Sequence, residues 1–140
     1  SFTLNSGSNK DIKKGMAVLD GEYLIGKIVE ENYLTSRVLL LSDLNSKIPV
    51  TVEPGGFQSI LSGTGKENGN LQYSQGEYFF ADDSTVFSSG SGGIFKPGIP
   101  IGILVKSENE NNFQLSFFSD FSQLKFVEIM SFKIGEKKDD

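Results

Sequence analysis

Apolar residues in this chain come in short runs of four to eight, broken by glycine, proline and small polar residues. The runs predict strands joined by tight turns. Met16–Leu19 reads as a first strand, and Asp20-Gly21 as a turn with positive φ. Tyr23–Glu30 follows, interrupted by Gly26. Ser36–Leu41, "SRVLLL", is nearly continuous and predicts a strand buried on both faces. After a turn at 42–46, Ile48–Val52 resumes, with Pro49 pointing to an edge or a bulge. Gln58–Leu61 and Leu71–Tyr73 are short strands, with Asn68-Gly69 as a hairpin signal between them. Asp82-Asp83-Ser84 closes a loop before the strand Thr85–Ser88. Beyond it lie Ile99–Val105, Phe113–Phe118 and Phe126–Met130. Asp120 N-caps one helical turn up to Leu124. The tail from Gly135 is charged and expected to fray. No segment sustains a helical period over 11 or more residues, so the chain is expected to be all-β.

Composition narrows the chemistry. The 140 residues suffice for one domain or two small lobes on a shared core. A net charge of −5 argues against nucleic acid as a partner. There is no Cys, so disulfides and thiolate metal sites are excluded. There is no His, which removes the commonest general base and metal ligand. No Asp-x-Asp-x-Asp-Gly calcium pattern occurs, and no cofactor is expected. The chain starts at Ser1 and has no apolar run near the roughly 20 residues of a membrane helix. It reads as the soluble part of something longer.

The most unusual stretch is "SSGSGGIFKPGIPIG", Ser88–Gly102. A serine nucleophile needs a neighbouring base. Without His, only a Ser91–Lys96 dyad is conceivable, and Lys96 sits in an exposed-looking turn. A phosphate loop would need Gly-Lys-Ser/Thr leading into a helix, but Pro-Gly-Ile-Pro follows. A structural turn fits better. Gly90, Gly92 and Gly93 supply backbone freedom. Pro97-Gly98 suits a type II turn, Pro100 holds Ile99 extended, and Gly102 punctuates the next strand. Ile94 and Phe95 either plug the core or stand out as a contact, the plug being favoured. With 12 Phe in so small a chain, some aromatics are expected in an exposed partner-binding patch. Tyr23, Tyr33, Phe57 and Phe95 are its candidate anchors.

Six segments in order resemble the extracytoplasmic domain of the rod shape-determining MreC family: "NSGSNKDIKKGMAVL", "LIGKIVE", "SRVLLLSD" with "SKIPV", "SILSGTG", "SSGSGGIFKPGIPIG" and "DFSQLKFVEIM". The chain departs from the family pattern at Gln58-Ser59 and Asp83-Ser84, read as turn variations. The resemblance implies two small β-barrel lobes of chymotrypsin-like architecture without an active site. The lobes are expected at 1–66 and 67–134, with strand 126–130 able to return to the first lobe and 135–140 a flexible tail. It also implies a non-catalytic scaffold on the periplasmic side of the inner membrane, anchored by a helix outside this chain. The implied partners are an elongation-specific class B penicillin-binding protein, then MreD, MreB and RodZ, with homodimers or higher assemblies in the full-length protein. The rival readings are a peptidoglycan-binding module and a degenerate serine hydrolase.

Overall fold

The computed structural model describes residues 1–72, 81, 83–106, 113–124 and 127–130. Tyr73, Asp82, Phe126, Phe132 and the tail 135–140 lie outside them. Eleven strands are described, with three short 3-10 turns. Strands β1 (Phe2–Leu4), β2 (Ala17–Asp20), β3 (Tyr23–Glu31), β4 (Ser36–Leu40) and β11 (Glu128–Met130) form one antiparallel sheet, in the order β1-β4-β3-β2-β11. Strands β5 (Lys47–Glu53), β6 (Phe57–Gly63), β7 (Asn68–Gln72), β8 (Thr85–Ser88), β9 (Pro100–Lys106) and β10 (Phe113–Phe117) close into a barrel, in the order β10-β7-β6-β5-β8-β9.

The lobes divide elsewhere than at residue 66. Both β5 and β6 belong to the barrel, so the chain crosses between lobes at 41–46. The crossing is pressed onto the end of β6. Gly63 donates to the Ser46 carbonyl at 3.0 Å, and Gly65 to that of Ser42 at 2.7 Å. A Cβ on Gly63 would collide with the Asp43 carbonyl, so only glycine fits there. At the far end of the chain, β11 pairs with β2, Ile129 opposite Val18.

Burial explains why both lobes need each other. Ala17, Leu19 and Leu24 from the sheet, with Leu41 from the crossing, join the barrel interior, which includes Val50, Leu61, Val86, Leu104 and Leu115, in one cluster. The opposite face of the sheet builds a second cluster from Ile12, Val18, Ile25, Ile28 and Val38. The strand buried on both faces is therefore β2, whose three apolar residues are all buried. "SRVLLL" instead alternates at first, with Ser36 and Val38 buried and Arg37 exposed. Phe121 packs against both clusters.

Two turn readings also change. Asn68-Gly69 lies inside β7, and the β6–β7 turn is taken by residues 64–67, with Gly65 at φ +80°. Gly69 instead lies in close packing: a Cβ there would come 2.6 Å from Leu61 Cδ1. Pro49 is on no edge, since β5 pairs with β6 and β8. Its carbonyl accepts from Ser89 N at 3.2 Å, just past the end of β8.

The glycine-rich stretch is a pinned plug. Buried Ser88 does most of the pinning. Its hydroxyl donates to the Lys96 carbonyl at 2.6 Å and accepts from Ile99 N at 2.9 Å. Ser88 N donates to the Ile99 carbonyl at 2.8 Å, and Gly98 N to that of Ser88 at 2.9 Å. Ser89 Oγ donates to Gln58 Oε1 at 2.7 Å and accepts from Ser91 N at 3.1 Å. Gln58-Ser59 is thus no turn variation: both lie within β6, and Gln58 ties it to this loop. Gly92, Gly93 and Gly98 take φ of +70°, +66° and +86°. The geometry drives Phe95 into the barrel core at 0 % exposure. Phe95 is therefore removed from the candidate anchors: a side chain with no accessible surface meets no partner.

Two expectations follow for stability. Ser88→Ala strands the buried Ile99 N–H and frees the part-buried Lys96 carbonyl, and should cost about 1–3 kcal/mol. Phe95→Ala should cost about 3–5 kcal/mol by emptying the plug. Urea unfolding monitored by circular dichroism checks both, with Ser91→Ala, at an exposed position, expected within about 0.5 kcal/mol of the parent.

Candidate partner-binding surface

The remaining candidates sit in three separate places. Tyr23 opens β3 and is half-buried, its ring centroid 5.0 Å from that of Phe118 and tilted by 35°. It bridges the sheet to the segment leaving β10. Phe57 opens β6, half-buried against the barrel cluster. The Gly55 backbone, at φ +109°, lies so close to the Phe57 ring that a side chain there would overlap it. Tyr33 lies in the β3–β4 turn, 72 % exposed, beside Leu34 at 61 %. Tyr23 opens β3, and Tyr33 lies two residues past its other end. The structure therefore keeps Tyr23 and Tyr33 apart. It pairs Tyr23 with Phe118 and Tyr33 with Leu34 instead.

The Tyr33–Leu34 turn is held from outside itself. Ser8 N donates to the Asn32 carbonyl at 2.8 Å, and Asn9 N to that of Tyr33 at 3.0 Å. Asn32 N donates to the Thr35 carbonyl at 2.8 Å. The Asn32 amide reaches Thr35 Oγ1 at 3.2 Å and Glu30 Oε1 at 3.4 Å. Ser36 Oγ donates to the Ser6 carbonyl at 2.7 Å. Gly7 makes the clamp possible, because a Cβ there would overlap the Asn32 carbonyl. Two apolar side chains thus project into solvent from a fixed backbone. Around them stand exposed Glu30 and Glu31, with Arg37 Nε 3.4 Å from a Glu30 oxygen. Sequence reading passed over Leu34, although "NYLT" places two large apolar residues between turn formers.

The arrangement holds little for catalysis. Ser91 and Lys96 are both exposed, and no hydrogen bond joins their side chains among the described residues. The serines with buried hydroxyl partners, Ser88 and Ser89, bind backbone and Gln58. No group of three Asp or Glu gathers as a metal site among the described residues. Such an arrangement can present a surface.

Comparison with known proteins agrees. The family model for the rod shape-determining protein MreC, barrel core, matches residues 1–131. The cell shape-determining protein MreC of Cereibacter sphaeroides is 31 % identical over 130 residues, 93 % of this chain and 43 % of that one. Its counterpart from Caulobacter vibrioides is 33 % identical over 129 residues, 92 % of this chain and 37 % of that one. The chain thus spans less than half the length of these relatives. Among solved structures, MreC from Pseudomonas aeruginosa superposes with a TM-score of 0.80 at 27 % identity, covering 92 % of this chain and 87 % of that one. The major periplasmic domain of the cell shape-determining filament MreC gives 0.77 at 20 % identity, over 94 % and 85 %. A complex between a penicillin-binding protein (PBP2) and MreC from Helicobacter pylori gives 0.64 at 16 % identity, over 81 % and 74 %. These relatives are named for shaping the cell and not for a reaction. With the sheet-and-barrel fold, the chain therefore belongs to the family of the rod shape-determining protein MreC, as its barrel core.

Proposed function

We propose that this chain is the extracytoplasmic scaffold module of a cell shape-determining protein, and that it binds and positions a class B penicillin-binding transpeptidase on the periplasmic side of the inner membrane. Family membership supports the shape-determining role. The complex of the Helicobacter pylori relative supports the partner class. The observation that carries the binding reading is the clamped turn with Tyr33 and Leu34 in solvent. Interface energy concentrates in a few large anchors, and anchors fixed beforehand lose little entropy on binding. Tyr23 and Phe57, each half spent on internal packing, are secondary contacts in this reading. A scaffold of this kind works by differential affinity, favouring the transpeptidase conformation that fits its surface. A membrane anchor outside this chain, contacts with MreD, MreB and RodZ, and homodimers or higher assemblies belong to the same proposal.

The test is binding of the purified chain to the ectodomain of the cognate transpeptidase by biolayer interferometry. Replacing Tyr33 and Leu34 together by alanine should weaken binding by about 2–4 kcal/mol, while the circular dichroism spectrum and unfolding midpoint stay those of the parent. An unchanged affinity would place the contact elsewhere on the molecule.

A further inference from the structure

Sulfur is scarce in this chain and is gathered at one place in the sheet. There is no Cys, and the two methionines are Met16 and Met130. With no Trp and no His either, their thioethers are the chain's most readily oxidised groups. Met16 directly precedes β2, and Met130 ends β11 opposite Ala17, the first residue of β2. Both are half-buried, but they are held differently. Met16 packs on the second cluster, and its backbone is fixed from β3, where Ile28 N donates to its carbonyl at 2.9 Å. Its own N–H donates to the Lys13 carbonyl at 3.2 Å, and its Sδ accepts from Lys13 N at 3.3 Å, in an exposed bond. Met130 packs on the barrel cluster. It belongs to a three-residue strand at the sheet edge, whose strand pairing among the described residues is with β2 alone. The rest of β11 is exposed Glu128 and half-buried Ile129, which packs on the second cluster. One apolar anchor on each face of the sheet therefore holds this strand down.

We propose that Met130 is a redox-sensitive clasp: its oxidation to the sulfoxide by a peroxide releases β11 from β2, and its reduction lets the strand close again. The step transfers one oxygen and two electrons. The thioether sulfur attacks one oxygen of hydrogen peroxide, and the S–O bond forms as the O–O bond breaks. The proton on the transferred oxygen leaves with the departing hydroxide as water. A thiol-dependent methionine sulfoxide reductase reverses it: the oxygen leaves as water and two thiols become a disulfide. A sulfoxide is polar, so at Met130 it no longer suits the apolar cluster that the side chain joins. A short edge strand with one remaining apolar anchor then pairs poorly. At Met16 the same oxidation changes little. Sulfur is a weak acceptor, so a sulfoxide oxygen takes the Lys13 N–H better, and the Ile28 bond keeps the backbone in place. Release of β11 frees the outer edge of β2, a row of unpaired backbone groups ready for another strand. This inference stands apart from the transpeptidase reading, because it concerns closure of the sheet and is read out without a partner.

The experiment treats the purified chain with hydrogen peroxide and follows amide hydrogen exchange. The parent, Met16→Leu and Met130→Leu are each compared with their own untreated form. Leucine nearly conserves the volume of methionine, so both variants keep the fold. Mass spectrometry of peptides locates the oxygens gained. Oxidation of the parent and of Met16→Leu should speed exchange at Glu128–Met130 about tenfold, with Phe57–Gly63 in the barrel unchanged, and reductase treatment should restore the original rates. Met130→Leu should keep its untreated rates after Met16 has taken up oxygen. Unchanged exchange at 128–130 in oxidised Met16→Leu would overturn the proposal, as would an equal acceleration in Met130→Leu or a Met130 that takes up no oxygen.

Discussion

The sheet at the start of the chain has two apolar faces, and both must be covered. A sheet with one wet face would need only the barrel against it. Here Ala17, Leu19 and Leu24 go to the barrel side while Val18, Ile25 and Ile28 go to the other. The second face is closed by residues near the start, Phe2, Leu4 and Ile12, and by residues that come after the barrel, Leu124, Val127 and Ile129. The chain must therefore return once the barrel is finished. Pairing of β11 with β2 follows from that need, and Phe121 joins the two cores where the return begins. Neither lobe is complete alone: the sheet lacks a cover without the return segment, and the barrel core lacks Leu19 and Leu24 without the sheet.

With no cysteine available, rigidity has to come from packing and hydrogen bonds. Two devices recur. In one, backbone runs against backbone where a side chain would not fit: Gly63 against the crossover, and Gly7 against the β3–β4 turn. In the other, a serine hydroxyl closes a loop on itself, as Ser88 does between Lys96 and Ile99. A buried hydroxyl that both donates and accepts satisfies two backbone groups no strand could reach. The glycine-rich stretch that looks like a protease serine loop is built on this second device, and the serine that matters in it is Ser88 rather than Ser91.

Strand existence was readable because the runs are short, branched and bounded by glycine. The positions of β2, β3, β5, β8 and β9 show it. What the residues could not show was which partner each strand would take. "SRVLLL" reads as doubly buried because its leucines are contiguous, yet Leu39 and Leu40 end half-exposed near the sheet margin. Asn68-Gly69 reads as a turn because turns want glycine for its φ, whereas Gly69 lies within β7, close against Leu61. The lobe boundary was misplaced for a related reason: local signals mark turns, but only pairing of β5 with β8 assigns a strand to a lobe. Aromatic residues near turns carried the least information. Tyr23 and Tyr33 read alike, and Phe95 reads as plug first and anchor second, whereas the structure leaves Tyr23 half-buried, Tyr33 72 % exposed and Phe95 with no exposure.

That spread bears on how a scaffold of the proposed kind works. Such a protein acts through where it holds things. Tyr33 lies beyond one end of β3, and Tyr23, against Phe118, lies at the other. The strand between them is paired on both sides, by β2 and β4, over most of its length. β3 carries a bulge against each neighbour, at Ile25 and at Val29, so it is bent, and pairing on both sides holds that bend. Contacts made at one end do not compete with contacts made at the other. Two partners bound there would be held at a set distance and angle, which converts a pair of weak contacts into a high effective concentration of one partner near the other. In the scaffold proposed above, that fixed spacing is the functional property, and the double burial of the sheet supplies it.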